Sequence, residues 1–239
     1  MELNKKDYYK RREIEMNKDK TDITIETYNN IVNEYISYFK TKDLKGKVQF
    51  QKEMDFICSK LNSNAKILDV GTAIGDYPKY LTENCEGDFN VVGIDASKNM
   101  IEVARKNAPK AQFKVMDIRN LEFLENSFDA IICFATLIHV NDTECIKILD
   151  RFDEILKNEG LIAINVMEWL DDKKEIFEDE PFNPKYKTYF NRYKKEFFTD
   201  YFQSKNYSIL AFFDNPLFNS SEVKGTVANS NQFSIIVKK

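Results

Sequence analysis

The chain has 239 residues, of which 43% are hydrophobic and 31% charged, and 39 acidic against 35 basic residues give it a net charge of -4. This length and apolar content indicate a globular domain with additions and exclude a disordered tail. The slightly acidic balance argues against a nucleic-acid partner. A basic stretch near the N-terminus is interrupted by acids and predicts a solvated arm. Its residues are Lys5, Lys6, Lys10, Arg11 and Arg12, with Asp7, Glu13 and Glu15 among them.

The cysteine and histidine content gives no sign of a metal centre. Cys58, Cys85, Cys133 and Cys145 lie far apart without a C-x-x-C pair, and His139 is the single histidine. This pattern predicts neither a metal site nor a disulfide framework. The N-terminus lacks the apolar core of a signal peptide, and no run of roughly 18 apolar residues occurs. We therefore expect a cytoplasmic protein with no membrane partner.

Amphipathic periodicity predicts two helices before the first strand. Apolar residues recur at steps of three and four from Asp22 to Lys40 and again from Phe50 to Leu61, which is the spacing of one helix face. Tyr28 and Tyr35 belong to the apolar stripe of the first helix. We assign residues 1–62 to an N-terminal arm and a helical lid.

From Lys66 onward, short apolar runs alternate with helical patterns. The runs predict strands over residues 66–70, 91–95, 113–116, 128–134 and 161–166, and the patterns predict helices over residues 76–82, 97–107 and 141–160. Ser97 is a favourable N-terminal cap of the second helix, and Gly160 is expected to end the third. Such alternation predicts right-handed crossovers and an α/β fold with a doubly wound, mostly parallel sheet.

An acidic stretch containing two prolines breaks this alternation and predicts an inserted substrate lid over residues 167–193. After it, the sequence predicts a helix over residues 194–204 and strands over residues 207–212 and 233–237. The last strand is expected to be antiparallel and to complete a sheet of seven strands. We therefore expect one domain over residues 63–239 that carries the insertion.

The turn between the first strand and the next helix contains the clearest sequence signal of a binding site. Gly71 and Gly75 follow the first strand, where glycines let a ligand approach a backbone whose N–H groups are expected to point outward. Asp69 lies in that strand, Asp95 closes the second strand about twenty residues on, and Asp117 closes the third. Acids at the carboxyl ends of successive parallel strands meet at one sheet edge, so the pattern predicts a nucleotide site there.

These segments resemble the class I S-adenosylmethionine-dependent methyltransferases, in particular those that act on small molecules. The resemblance is carried by ILDVGTAIG, VVGIDASKNMIEVARKNAP, FKVMDIRNLEFLENSFDAIICFATLIHV and LKNEGLIAINV. It covers Tyr28 to Val166 and resumes loosely from Tyr193 to the C-terminus. It implies a Rossmann-like sheet and S-adenosylmethionine as the cofactor, with S-adenosylhomocysteine as the product.

Position in these motifs assigns residues to the cofactor. The resemblance implies that Asp69 holds the methionine ammonium group, directly or through water, that Asp95 binds the ribose diol and that Asp117 accepts from the adenine amino group. Phe134 would lie near the sulfonium, and Tyr28 would close over the cofactor unless it packs in the core. The full set implied for the cofactor is Asp69, Gly71, Thr72, Ala73, Gly75, Asp95, Ala96, Met100, Asp117, Ile118, Phe134 and Tyr28.

The acceptor side is implied with alternatives. His139 is the candidate general base, because an imidazole with a pKa of about 6.5 suits that task at neutral pH; the alternative is that it packs under the cofactor or caps the next helix. Tyr35, Tyr189, Arg192 and Tyr193 are the further candidates for substrate contact. Arg192 could clamp an anionic group in a bidentate fork or lie on the surface.

Two departures from the family pattern affect the cofactor site. Ala73 stands where the family usually has a middle glycine. Asp76 and Tyr77 stand where relatives often place an arginine near the cofactor carboxylate, so Lys79 or a basic residue of the N-terminal arm would have to substitute. These departures leave a catalytically silent partner subunit as an alternative.

Oxygen is the expected acceptor atom, on the basis of His139 and Arg192. A small-molecule N-methyltransferase is the first alternative, followed by methylation of RNA or protein. A nicotinamide-dependent oxidoreductase is disfavoured because GTAIG lacks the G-x-G-x-x-G spacing. Nothing in the sequence predicts whether the protein is a monomer or a homodimer.

Overall fold

The computed structural model describes residues 19–41, 50–216 and 231–239. The basic stretch near the N-terminus lies outside the described residues. The strands are β1 (Lys66–Val70), β2 (Asn90–Asp95), β3 (Gln112–Val115), β4 (Phe128–Phe134), β5 (Leu156–Met167), β6 (Glu175–Glu180), β7 (Asn183–Asn191), β8 (Ser208–Pro216) and β9 (Asn231–Lys238). The helices are α1 (Lys20–Asn30), α2 (Val32–Thr41), α3 (Gln51–Lys60), α4 (Asp76–Glu83), α5 (Lys98–Asn107), α6 (Asp142–Ile155) and α7 (Lys195–Ser204).

Seven of the described strands form one sheet in the order β3-β2-β1-β4-β5-β9-β8. The strands β1 to β5 run parallel to one another, whereas β9 pairs antiparallel with both β5 and β8. The order reverses direction at β1 and β4, which is where doubly wound sheets open a crevice for ligands. The prediction of a mostly parallel seven-stranded sheet with an antiparallel last strand is confirmed.

Helices cover both faces of this sheet. On one face α6 and α7 place Phe152 and Phe198 against β4 and β9, and both side chains are fully buried. On the opposite face α3 and α4 place Met54 and Leu81 against β1 and β4, again with no exposed surface. Because both faces are covered, the central strands are apolar on both sides, as their continuous apolar runs predict.

The helix before β5 ends earlier than the sequence predicts. α6 begins with a capping box in which the Asn141 side chain accepts from the Glu144 backbone and Glu144 returns the contact, but the helix stops at Ile155 instead of Gly160. Leu156 already pairs with Phe128 of β4, so sheet pairing overrides the helix-ending glycine, which lies inside β5. The prediction that Gly160 ends the helix was wrong for this reason.

The predicted insertion is a two-stranded antiparallel hairpin, β6–β7, outside the main sheet. The N-terminal helix α1 docks on it through a stripe of buried threonines. Thr27 donates to the Lys187 carbonyl (2.7 Å), Thr24 accepts from the Tyr189 backbone N–H (3.0 Å), and Thr21 donates to the His139 carbonyl (2.8 Å). The predicted helix from Asp22 to Lys40 is divided at Ile31, so α1 and α2 dock as separate segments.

One disulfide joins α3 to the end of α4, contrary to the expectation of none. Cys58 and Cys85 are bonded across 27 positions of sequence, with their Cα atoms 6.1 Å apart. The two cysteines meet because α3 and α4 pack side by side on one face of the sheet, which their spacing alone does not reveal. Cys133 and Cys145 are free thiols buried in the core.

Candidate functional site

A cavity of about 780 Å³ lies at the carboxyl ends of the central parallel strands. Its floor is formed by residues that follow β1, β2, β3 and β4, and α1 and α2 cover it with Tyr28, Tyr35 and Phe39. The turn between β6 and β7 closes a further side with Glu180, Pro181 and Phe182. A volume of this size is typical of sites that enclose a cofactor or a drug-sized ligand.

The turn after β1 requires glycine at its first position. Gly71 has a φ of +73°, and a Cβ atom there would lie 1.9 Å from Oγ1 of Thr136. Ala73 adopts a φ of +45°, so this non-glycine residue holds a left-handed conformation in the place of the family's middle glycine. A non-glycine residue in this conformation carries a steric cost that a glycine would avoid.

Several backbone donors of this turn are occupied within the protein, which differs from the sequence-based expectation that they point outward. The N–H groups of Gly71 and Thr72 donate to the Ile94 carbonyl at 2.8 and 2.9 Å. The Gly75 N–H donates to the Thr72 carbonyl at 2.8 Å. These three N–H groups are therefore not available to a ligand.

Asp95 is held rigidly at the cavity wall. Its Oδ2 accepts from the Ala73 N–H (2.9 Å) and its Oδ1 from the Ser97 N–H (2.8 Å). Burial raises its pKa to about 6, against the lowering effect of these two hydrogen bonds. Each carboxylate oxygen keeps a further lone pair, so the group can accept two more hydrogen bonds from a vicinal diol.

Asp69 lies behind the cavity wall rather than on it. Its side chain is 1% exposed and is absent from the cavity lining, and Thr72, which lines the cavity, donates its hydroxyl to Asp69 Oδ2 at 2.5 Å. Burial raises the pKa of Asp69 to about 7. The structure therefore presents Asp69 to the cavity through the Thr72 hydroxyl.

Asp117 lines the cavity with Ile118 and is clamped by Arg119. The Arg119 guanidinium lies 2.6 Å from Asp117 Oδ2 and 2.5 Å from Asp22 Oδ1 of α1. Arg119 thereby ties the loop after β3 to the N-terminal helix. Sequence reasoning missed Arg119, because its partner Asp22 is about a hundred residues away and no local pattern joins them.

Of the remaining cofactor candidates, all except Gly75 line the cavity. They are Tyr28, Gly71, Thr72, Ala73, Ala96, Met100 and Phe134. Gly75 itself is the left-handed residue before α4, with a φ of +83°, and is packed against Ala104. Asp76 and Lys79 line the cavity from α4, and Lys79 is one of its lysines.

His139 lines the cavity in a defined tautomer. Its Nδ1 lies 2.8 Å from the Tyr189 carbonyl, and since a carbonyl only accepts, Nδ1 carries the proton and Nε2 has the free lone pair. Burial lowers the pKa of His139 to about 4, so the imidazole is neutral at physiological pH. The rings of Tyr28 and Phe190 each lie 5.3 Å from it, between ring centroids.

Tyr189, Arg192 and Tyr193 do not line the cavity. Arg192 is 3% exposed and its guanidinium binds the Asp171 carboxylate at 2.5 and 3.0 Å. The buried Tyr193 hydroxyl donates to the carbonyls of Leu137 and Val140, at 3.0 and 3.1 Å. Tyr189, through its carbonyl, and Tyr193 therefore contact the turn that contains His139. Tyr35, which was also predicted to contact the substrate, does line the cavity.

The cavity is rich in carboxylates around Tyr35. Burial raises the pKa of the Tyr35 hydroxyl far above its usual value, and four nearby negative charges raise it further. They belong to Asp76, Asp95, Asp69 and Glu180. Lys79 and Lys106 are the lysines of the lining, both on the side of α4 and α5. The interior near Tyr35 therefore favours positively charged ligands.

Comparison with known proteins agrees with this geometry. Residues 67–160 match the family described as "Methyltransferase domain". This segment of the chain is similar to methyltransferase domains. Phosphoethanolamine N-methyltransferase 3 of Arabidopsis thaliana is 37% identical to it over 108 residues, which are 44% of this chain and 21% of that protein. The chain thus spans about a fifth of the length of this relative.

Solved structures show the same fold. An S-adenosylmethionine-dependent methyltransferase from Methanosarcina mazei superposes with a TM-score of 0.65 at 19% identity, covering 77% of this chain and 96% of that one. The 1,6-didemethyltoxoflavin-N1-methyltransferase of Burkholderia thailandensis, solved with its substrate and S-adenosylhomocysteine, gives a TM-score of 0.59 at 15% identity, covering 87% of each chain. The recognition of the class I fold from sequence is confirmed.

Within the described ranges, no helix is long and apolar enough to cross a membrane. The same residues contain no cluster of histidine, cysteine, aspartate or glutamate arranged to hold a metal ion.

Proposed function

We propose that this protein is an S-adenosylmethionine-dependent methyltransferase that acts on a small molecule. The observation that carries the proposal is Asp95, whose carboxylate is fixed by two backbone N–H groups at the wall of a cavity that also contains the glycine turn. A carboxylate held at this position of a doubly wound sheet is suited to a ribose diol. The methyltransferase domain family supports the same assignment.

The lining fits an adenosyl sulfonium compound. We assign Asp95 to the ribose, and Asp117 with Ile118 to the adenine edge and face, since all three line the cavity. Phe134 lines the region between β1 and β4. Lys79, which reaches Asn107 Oδ1 at 3.4 Å, is our candidate for the cofactor carboxylate in the place of the arginine of relatives. When bound, S-adenosylmethionine supplies an electrophilic methyl group.

The protein contributes mainly orientation and exclusion of water. α1, α2 and the β6–β7 turn cover the cavity, and positioning of reactants of this kind lowers a barrier by up to roughly 7 to 11 kcal/mol. His139 is our candidate to accept a hydrogen bond from the methyl acceptor, because its Nε2 is unprotonated. A pKa of about 4 makes it a weaker base than an ordinary imidazole, so we assign it a hydrogen-bond acceptor role that assists proton loss.

The choice between oxygen and nitrogen as acceptor atom rests on the lining. Arg192, one of the two residues that favoured oxygen, binds Asp171 outside the cavity, so only His139 still supports that expectation. The carboxylates and aromatic rings near Tyr35 favour a cationic amine. The Arabidopsis relative is named as an N-methyltransferase of phosphoethanolamine. We therefore propose nitrogen as the acceptor atom.

Thermal shift measurements test the cofactor assignment directly. S-adenosylmethionine and S-adenosylhomocysteine are expected to raise the melting temperature, and NAD is not. The Asp95→Ala variant is expected to lose this shift while melting within a few degrees of the native chain. A shift with NAD alone would support an oxidoreductase. No shift with either sulfur compound would contradict the proposed function and support a silent partner subunit.

A further inference from the structure

Glu180 is a buried carboxylate that the roles assigned so far do not use. It ends β6, its residue surface is 1% exposed, and it lines the cavity beside Phe182. Its Oε2 accepts from the Thr188 hydroxyl, and its Oε1 accepts from the Phe182 N–H at 3.3 Å. Two neutral donors thus fix its orientation and leave further lone pairs on both oxygens.

No lysine or arginine in the described part of the chain forms a salt bridge with Glu180. Lys187 of the same hairpin pairs with the exposed Asp179 at 2.6 Å. Burial raises the pKa of Glu180, and the nearby Glu178 raises it further. Removing a carboxylate from water is costly unless a positive charge accompanies it. The free-energy cost of burying the Glu180 carboxylate is therefore reduced when a cation binds in the cavity.

Aromatic rings line the space between Glu180 and His139. Tyr28 lies 5.3 Å from His139 and 6.4 Å from Tyr35, and Tyr35 lies 5.5 Å from Phe182, between ring centroids. The charge of Glu180 is close enough to Tyr28 and Tyr35 to raise the pKa of both hydroxyls, after burial as the main cause. Ring faces attract ammonium groups, most strongly where water is excluded.

We propose that Glu180 is the residue that selects the methyl acceptor, and that it binds the ammonium group of a small cationic amine against Tyr35 and Phe182. The bound ammonium releases its proton to water before its nitrogen attacks the methyl group, the carbon–sulfur bond breaks, and the methylated product is again a cation beside Glu180. The inference rests on the proposed function, since it places the amine beside the cofactor site. A carboxylate or phosphate group of an acceptor placed beside Glu180 would bring a second negative charge close to the buried carboxylate, with no cation to compensate it. Glu180 therefore disfavours acceptors that place such a group at this position.

The test is a calorimetric titration of tetramethylammonium into protein saturated with S-adenosylhomocysteine. This probe carries a permanent charge and cannot accept a methyl group, so binding is measured without turnover. We expect Glu180→Gln to weaken its binding by about tenfold or more, the effect of losing a desolvated charge interaction. Neutral tert-butanol, of similar size, is expected to bind more weakly than tetramethylammonium and to respond little to the substitution.

The matched control is Asp179→Asn, which removes one carboxylate from the same hairpin. Asp179 is exposed and pairs with Lys187, so tetramethylammonium affinity is expected to stay within twofold of the native value, about the effect of an ordinary surface substitution. A second variant, Phe182→Leu, removes the ring but keeps the carboxylate and is expected to weaken binding a few-fold. It keeps the proposal testable if Glu180→Gln folds poorly.

The outcomes separate the two proposals. Retained S-adenosylhomocysteine binding in Glu180→Gln with lost tetramethylammonium binding supports the inference. Equal tetramethylammonium affinity in the native chain, Glu180→Gln and Phe182→Leu overturns it, even if the cofactor binds. If the native chain fails to bind S-adenosylhomocysteine, the proposed function fails, and the same titration without that compound still shows whether Glu180 binds a cation.

Discussion

The imidazole of His139 donates its Nδ1 proton to the backbone carbonyl of Tyr189, 2.8 Å away. This hydrogen bond joins the turn after β4 to the hairpin strand β7, and it decides which ring nitrogen is free. Tyr189 was expected to touch the substrate with its ring. The structure instead uses its backbone to orient the residue proposed to act on the acceptor.

The first prediction concerns the charge state of His139. Because burial lowers its pKa to about 4, the imidazole stays neutral as the pH falls from 8 to about 5 and gains a proton only below that range. The chain contains one histidine, so its ring C–H signals in proton NMR are assignable without further labelling. Nitrogen-15 shifts are expected to report the tautomer protonated at Nδ1. A titration midpoint near 6.5 would contradict the buried, hydrogen-bonded placement.

The second prediction concerns turnover. His139→Ala is expected to lower kcat by about a hundredfold, since it removes the group that assists proton loss. S-adenosylhomocysteine affinity is expected to remain within about twofold, as for a change outside the cofactor contacts. An S-adenosylhomocysteine release assay with an accepted amine measures the first quantity and calorimetry the second. An unchanged kcat would show that His139 only lines the cavity.

The third prediction is the pH dependence of cofactor binding. The pKa of Asp95 is raised to about 6, and ribose hydroxyls donate best to its ionised form. Affinity for S-adenosylhomocysteine is therefore expected to be constant above about pH 7 and to fall roughly tenfold per pH unit below 6, where Asp95 binds a proton. Calorimetry across this range measures the effect.

Asp95→Asn is the variant that checks this assignment. It is expected to bind S-adenosylhomocysteine more weakly at every pH and to lack the step near pH 6. If the affinity of this variant still changes with pH near 7, we expect the change to come from Asp69, whose pKa is raised to about 7. If the variant shows the same step near pH 6 as the native chain, another group titrates there.

The fourth prediction concerns the docking of α1 on β7. Thr24→Val keeps the shape of the side chain but leaves the buried Tyr189 N–H, now 3.0 Å from Thr24 Oγ1, without an acceptor. The free energy of unfolding in urea is expected to fall by roughly 1 to 3 kcal/mol. Thr199→Val, whose hydroxyl bonds only within α7, is the control and is expected to change it by less than about 0.5 kcal/mol. Equal effects of the two substitutions would show that the threonine stripe does not dock α1.

The fifth prediction concerns the disulfide between Cys58 and Cys85. Closing a loop of 27 positions is expected to stabilise the fold by about 3 kcal/mol through the unfolded chain. Dithiothreitol is therefore expected to lower the melting temperature of the native chain and to leave that of Cys58→Ser/Cys85→Ser unchanged. Titration of the unfolded, unreduced protein is expected to find two free thiols among its four cysteines. Four free thiols would exclude the bond.

Local sequence patterns determined the sheet and the glycine turn that lines the cavity. The strand from Lys66 to Val70 was predicted with its observed bounds, and Ser97 caps α5 through the Met100 N–H, as predicted. Gly71 is required because of a left-handed turn against Thr136. Strand periodicity, capping and turn chemistry act over a few residues, so the sequence contains all the information they need.

Tertiary packing alone decided which residues of the hairpin and its flanks line the cavity. Glu180 lines the cavity, whereas Arg192 is buried outside it. Both belong to one acidic and aromatic stretch, whose sequence has no periodicity that distinguishes the two positions. The hydrogen bonds of Thr24 and Arg119, like the disulfide, join segments far apart in the chain. Such contacts depend on how α1, the hairpin and the sheet meet in three dimensions. The sequence therefore indicated a methyltransferase fold, and only the fold showed which side chains face an acceptor.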